Sequence, residues 1–226
     1  NIASLDNVAG LVTANKGLRI TASGSINNQG GKLTSLETLN LTAGAVDNSA
    51  SGQITGNQAL TASVANLNNN AGQLSSVTSL TLDVNKGQLN NQGGLIRGPA
   101  LVLNNLAEVG NQSGEISSVQ GFTFTAKSLD NSGGKLLSKQ ALNLRLDQAL
   151  TNVKGLVSAS GLDVRAASVD NSTGKLTSDA HLLLNLDGTL ANHLGEVSSA
   201  EATQVHAAGL DNSGGTLTSR GDTLLN

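Results

Sequence analysis

Cysteine is absent from this chain of 226 residues, which excludes both a disulfide framework and a thiolate metal site. Tryptophan, tyrosine and methionine are absent too, and Phe122 and Phe124 are the only aromatic residues. Without large aromatic side chains a thick globular core is hard to fill, whereas a thin core of stacked aliphatics is not. Pro99 is the single proline. Charged residues make up 13% and the net charge is −3, with no run of either sign, so the clustered cations of a nucleic-acid surface are missing. No stretch approaches the roughly 18 consecutive apolar residues of a membrane span. No signal peptide is recognisable. The chain starts at Asn1 and stops at "DTLLN", midway through a pattern, which reads as a piece of something longer.

Asparagine, serine, threonine and 27 glycines fill much of the remainder, yet 38% of residues are hydrophobic, too many for a disordered chain. Their order explains the composition. "SLDNSGGKLLS" at 128–138 returns as "GLDNSGGTLTS" at 209–219, which is 81 residues later. Aligning on the asparagine of this unit exposes eleven copies spaced 19 to 22 residues apart: Asn7, Asn28, Asn48, Asn69, Asn91, Asn111, Asn131, Asn152, Asn171, Asn192 and Asn212. An aliphatic residue stands two positions before each, from Leu5 to Leu210. Glycine follows three positions after, at Gly10, Gly31, Gly72, Gly94, Gly114, Gly134, Gly155, Gly174, Gly195 and Gly215, and one place later at Gly52. Two residues beyond each glycine comes a second aliphatic, from Val12 to Leu217.

Between these blocks "LRITA", "LNLTA", "FTFTA" and "LDVRA" alternate apolar with polar residues, the period of a half-buried strand, and no copy sustains a helical period. Each copy is therefore two or three short strands joined by turns. One such unit cannot bury its apolar row alone and must stack on its neighbours. The fold expected is all-β, a parallel β-helix of about eleven coils over 1–226 as a single repeat domain. At a rise of about 4.8 Å per coil the rod measures roughly 50 Å. Aliphatics form inward columns, and the eleven asparagines form a ladder bonding up and down the stack. In the turn, Asn and Asp bond back to the backbone, and the glycine column is expected to supply φ > 0. Asp6, Asp47, Asp130, Asp170 and Asp211 precede ladder asparagines and never fall in consecutive coils, which spares the stack like-charge repulsion.

Chemistry-bearing constellations are sparse. The remaining acids are scattered, and His181, His193 and His206 fall at three different places in their repeats, so neither a metal site nor a catalytic cluster is expected and no cofactor is implied. A column of hydroxyls from Thr13 to Thr218 is interrupted by Arg97 and Leu137, and reads as solvent-facing strand positions in preference to an ice- or crystal-binding face. Arg97, Lys127, Lys139, Arg145, Lys154 and Arg165 concentrate in the middle coils and support a second reading, a rod face that recognises a receptor or glycan. A β-helix polysaccharide lyase or hydrolase is a third.

The units "LDNSGGKLLS" and "VDNSTGKLTSDAHLLLNL" resemble the haemagglutinin repeats of filamentous haemagglutinin-like exoproteins of Gram-negative bacteria, including contact-dependent growth inhibition proteins. The resemblance spans all eleven copies. It implies a right-handed β-helical filament, secreted to the cell surface through a dedicated outer-membrane partner transporter. Such a filament projects a receptor-binding region or carries a toxin, and neither is recognisable within these 226 residues. The function expected is a rigid, non-enzymatic stalk segment. Its receptor contacts lie elsewhere, and its open strand edges favour end-to-end stacking.

Overall fold

The computed structural model describes all residues, 1–226, and contains strands and turns but no helix. Thirty-one strands build a β-solenoid of eleven coils, and every strand pairing is parallel. Each coil presents three faces. The first carries the residues just before the ladder asparagine, as at Ser128–Asp130. The second begins just after the turn glycine, as at Lys135–Ser138. The third is the alternating segment, as at Ala141–Leu146.

Register follows the sequence columns. Ile116 pairs with Leu136 and Leu136 with Val157 on the second face, while Val109 pairs with Leu129 and Leu129 with Leu150 on the first. The second face is an 11-stranded sheet. The other two faces merge into a 20-stranded sheet, because strands Leu39–Asp47 and Ala59–Asn68 run through the corner between them without a break.

The core is the narrow space between the faces. Alternation on the third face sends Leu142 and Leu144 inward, both wholly buried, and Asn143 and Arg145 outward. Phe122 and Phe124 point inward in the coil below, 7% and 0% exposed, and stack on that leucine pair. Forty-six buried hydrophobic residues form one continuous cluster along the axis. Each buried leucine or isoleucine withdrawn from water contributes about 2 kcal/mol, and no coil collects enough of them to stand alone.

A further inward column escapes the aliphatic pattern. Two residues beyond the second aliphatic stand Ser35, Gly56, Ser76, Gly98, Ser118 and Ser138, with small residues in the other coils as well. Here the chain bends from the second face to the third, and space is short. A Cβ on Gly98 would sit 3.0 Å from Leu80 Cβ. Ser118 and Ser138 donate to the carbonyls of Pro99 and Gln120 at 2.9 and 3.1 Å. The hydroxyls of Ser35 and Ser76 are buried without a partner.

Candidate functional site

The feature that runs the whole length of the molecule is the asparagine ladder at the corner between the first and second faces. Asn7 Nδ2 donates to Asn28 Oδ1 at 2.7 Å, Asn28 to Asn48 at 2.7 Å and Asn48 to Asn69 at 2.8 Å, and the series continues unbroken to Asn212. The nine side chains from Asn28 to Asn192 are wholly buried. The same Nδ2 also donates to the turn glycine's carbonyl in its own coil and to a carbonyl one coil on, as Asn111 does to Gly114 and Lys135. The amide therefore satisfies carbonyls that the corner removes from the strand ladders, in a place water does not reach.

The eleven glycines that follow the ladder residues are required for a different reason from the φ > 0 expected of them. None of the eleven adopts positive φ. They are glycines because the ladder leaves no room: a Cβ on Gly134 would overlap the Asn111 carbonyl oxygen and lie 2.8 Å from Asn131 Oδ1. Positive φ belongs to the residue before. That position holds Gly30, Gly93, Gly133 and Gly214 at φ of 61° to 63°, but elsewhere Ala9, Ala71, Ser113, Lys154, Thr173 and Leu194 at 50° to 57°. In the coil with the one-residue insertion both Ala50 and Ser51 are left-handed.

The residue before each ladder asparagine shapes the same turn. In eight coils its Oδ1 accepts the backbone N–H two residues on, as Asp130 does from Ser132 at 3.0 Å and Asn90 from Gln92 at 3.0 Å. Asparagine preserves this bond without the charge, so interleaved Asn and Asp keep the turn while separating the carboxylates. Side-chain amides of neighbouring residues add to these bonds: Gln29 and Gln112 donate to the second carboxylate oxygen of Asp47 and Asp130, and Asn68 donates to the Asp47 Oδ1 that already accepts Ser49 N–H. At Asp211 the Ser213 hydroxyl and backbone N–H hold the carboxyl below its ordinary range.

The haemagglutinin repeat matches this chain five times, over residues 1–49, 37–105, 102–153, 142–193 and 183–226. The chain belongs to the haemagglutinin-repeat family. No curated protein and no solved structure matches it.

Elsewhere on this haemagglutinin-repeat rod, charged and nucleophilic groups are dispersed. The middle-coil cations, which follow one another at intervals of 6 to 30 residues, do not form one patch. Arg97 faces outward on the second face, and Arg145 and Arg165 do so on the third. Lys154 occupies a left-handed turn position, and Lys127, at the corner between the third and first faces, pairs with Glu108 at 3.3 Å. Arg145 grips Asp163 through two nitrogens at 3.1 and 2.7 Å. Lys175 pairs with Glu196 at 2.7 Å, and this bond with the Ser198 hydroxyl holds the Glu196 carboxyl below its ordinary range. The period around the coil is what scatters them: residues a few apart in sequence turn a corner and face another direction.

No group of three or more His, Cys, Asp or Glu side chains converges where a metal ion could be held. His193 meets the Ser213 hydroxyl at 3.0 Å, while His206 is exposed on the third face and His181 sits by the Gly161 corner. Of the three glycosylation-like sequons, two begin at buried ladder residues, Asn111 and Asn171, and only Asn40 is exposed.

Proposed function

We propose that this chain is a stiff spacer in a secreted filament on a bacterial surface, an adhesin or contact-dependent inhibition exoprotein that holds a recognition or effector region away from the cell. The observation that carries this reading is the unbroken ladder of ten asparagine–asparagine bonds, parallel to continuous strand ladders on three faces. Every coil is tied to the next by main chain, amide and core at once. Bending the rod would strain all three together, so its length is held by local contacts alone. A cysteine-free chain of strands that pair with the coil just completed suits folding outside the cell, where ATP is absent. Export by an outer-membrane partner transporter, Gram-negative origin and a receptor contacted by other regions follow as part of the same proposal, and no catalytic role is assigned.

The near-duplicate units allow a direct test. Deleting residues 131–211 joins Asp130 to Asn212 and removes four coils in register. The filament is then expected to fold and to shorten by about 19 Å per deletion, four rises of about 4.8 Å. Electron microscopy or small-angle scattering measures the length. A protein that collapses to a compact sphere, or a filament whose length is unchanged, overturns the spacer reading.

A further inference from the structure

All eleven strands of the second face are four residues long, and each pairs in register with the next. Changes in coil length fall outside these strands, so the face runs unbroken along the rod. Its outward residues are the first and third of each strand. The third is mostly Ser or Thr, short side chains that leave the face low. The first column carries bulk and charge, and in four successive coils it reads Leu95, Glu115, Lys135 and Leu156.

These residues do not satisfy one another within the rod. Glu115 and Lys135 are register partners, yet neither belongs to the three ion pairs of the molecule. The Glu115 carboxylate accepts the Ser117 hydroxyl at 2.8 Å instead. Lys175 and Glu196 stand in the same relation higher in the column, and those two do pair, at 2.7 Å.

The quartet is its own complement. A two-fold axis across the rod, passing between the coils of Glu115 and Lys135, turns a second copy end over end onto this face. Glu115 of each copy then faces Lys135 of the other, and Leu95 faces Leu156. The two acids and two bases form a square in which every neighbour has the opposite sign. Beyond the quartet the same axis sets Lys32 opposite Thr216, Lys175 opposite Gln73, Glu196 opposite Gln53 and Arg97 opposite Ser158. No charge of the face meets its like. Moving the axis by half a coil either way brings Glu115 or Lys135 against its own copy, which fixes the register.

The extent of the face is also sufficient. Strands about 13 Å long, repeated over the ten coils from Lys32 to Thr216, cover roughly 600 Å² on each rod. The pair therefore encloses about 1,200 Å², the lower bound for a specific interface. The first face offers nothing comparable: Asp6, Asp47, Asp130, Asp170, Asp211 and Glu108 stand on it without a single lysine or arginine, and it repels its own copy.

We propose that the second face docks a second copy of this chain in an antiparallel pair, closed by the Glu115–Lys135 square and the flanking leucines. The pairing goes beyond the spacer role and does not need it. One consequence alone rests on the filament reading: an antiparallel contact joins rods that point towards one another from opposite surfaces, whereas rods standing on one surface are parallel and do not make it.

The test uses the intact 226-residue chain, which has no cysteine of its own. Leu95→Cys and Leu156→Cys are made separately, mixed at about 0.2 mM for a Kd on the order of 100 µM, and treated with bismaleimidoethane. Across the pair the two sulfurs lie within one sheet-packing distance, about 10 Å, while like residues stand three rises, about 14 Å, further along the axis. The mixture is expected to give a cross-linked dimer, and either variant alone to give none. Adding Glu115→Lys to both variants is expected to weaken the pair roughly tenfold, and adding Lys135→Glu as well to restore it, because the exchanged charges again face their opposites. Lysine already stands in this column at Lys32, Lys135 and Lys175, and unchanged circular dichroism shows that each variant is folded. Cross-linking of either cysteine variant with itself, or a charge exchange that fails to restore the yield, would overturn the proposal. So would the lack of a cross-link at about 1 mM, even in a sample whose mass grows, since end-to-end association leaves these sites far apart.

Discussion

The Nδ2 of Asn91 lies 2.7 Å from Oδ1 of Asn111, and both side chains are wholly buried although twenty residues separate them. Each amide is a donor to the coil above and an acceptor from the coil below, so the loss of one leaves two neighbours incomplete. Asn111→Ala is expected to cost about 3 kcal/mol, from the orphaned Asn131 acceptor and the space left behind. Asn7→Ala, at the end of the ladder, loses one such bond and is expected to cost about 1 kcal/mol. Urea unfolding of the two variants distinguishes them. Equal costs would show that the ladder bonds carry no cooperative weight.

Gly133 and Gly134 are adjacent and make opposite demands. Gly134→Ala drives a Cβ into the Asn111 carbonyl and is expected to cost 3 kcal/mol or more, roughly the upper end for overpacking. Gly133→Ala only places alanine at φ 63°, with Ser113 Oγ 3.4 Å from the new Cβ, as Ala71 already manages at φ 52°. That change is expected to cost about 1 kcal/mol. Thermal melts of both variants decide between crowding and φ as the reason for the glycine column.

Thr173 is β-branched and held at φ 57°, a conformation glycine adopts without penalty. Thr173→Gly is expected to stabilise the chain by about 1 kcal/mol, detectable as a rise of about 3 °C in Tm. No rise, or a fall, would mean the threonine compensates through contacts beyond its own turn.

Acidification acts on the Lys175–Glu196 pair. The folded-state pKa of Glu196 lies below its unfolded value, so the contribution is complete above the ordinary glutamate range and fades as pH falls through it. The pair is half-exposed, and the effect is correspondingly small. Carboxyl NMR titration is expected to show Glu196 returning towards its ordinary value in Lys175→Gln, with the neutral-pH stability nearly unchanged. A Glu196 titration that does not move would assign the shift to Ser198 instead.

The 226-residue chain on its own is expected to associate end to end. Asn212 Nδ2 finds only the Gly215 carbonyl, and Leu11 at one end and Leu225 at the other are 66% and 51% exposed. Light scattering at rising concentration is expected to report growing mass. A monomer at about 1 mM would show that the ends protect themselves.

How much of this was legible in the chain follows from one physical circumstance. In a stack each coil meets the coil one period away, so residues some twenty apart become neighbours, and a column of equal letters is already a column in space. The ladder asparagines, the inward rows from Ile26 to Leu190, the buried Phe122 and Phe124 and the spacing of the aspartates could all be read in this way. Whatever depends on closing a coil in three dimensions could not. Clearance decided that Gly134 answers to Asn111 and not to its own φ, and that left-handed geometry falls on Thr173 and Lys154. The corners decided that Arg97 and Arg145 face different ways, and that the small inward column from Ser35 to Ser199 is structural. Closure of the coil also decided that Pro99 fits its corner, because Ala100 donates to the Thr78 carbonyl there, and which N–H meets the coil below is a matter of turn geometry that the period does not carry.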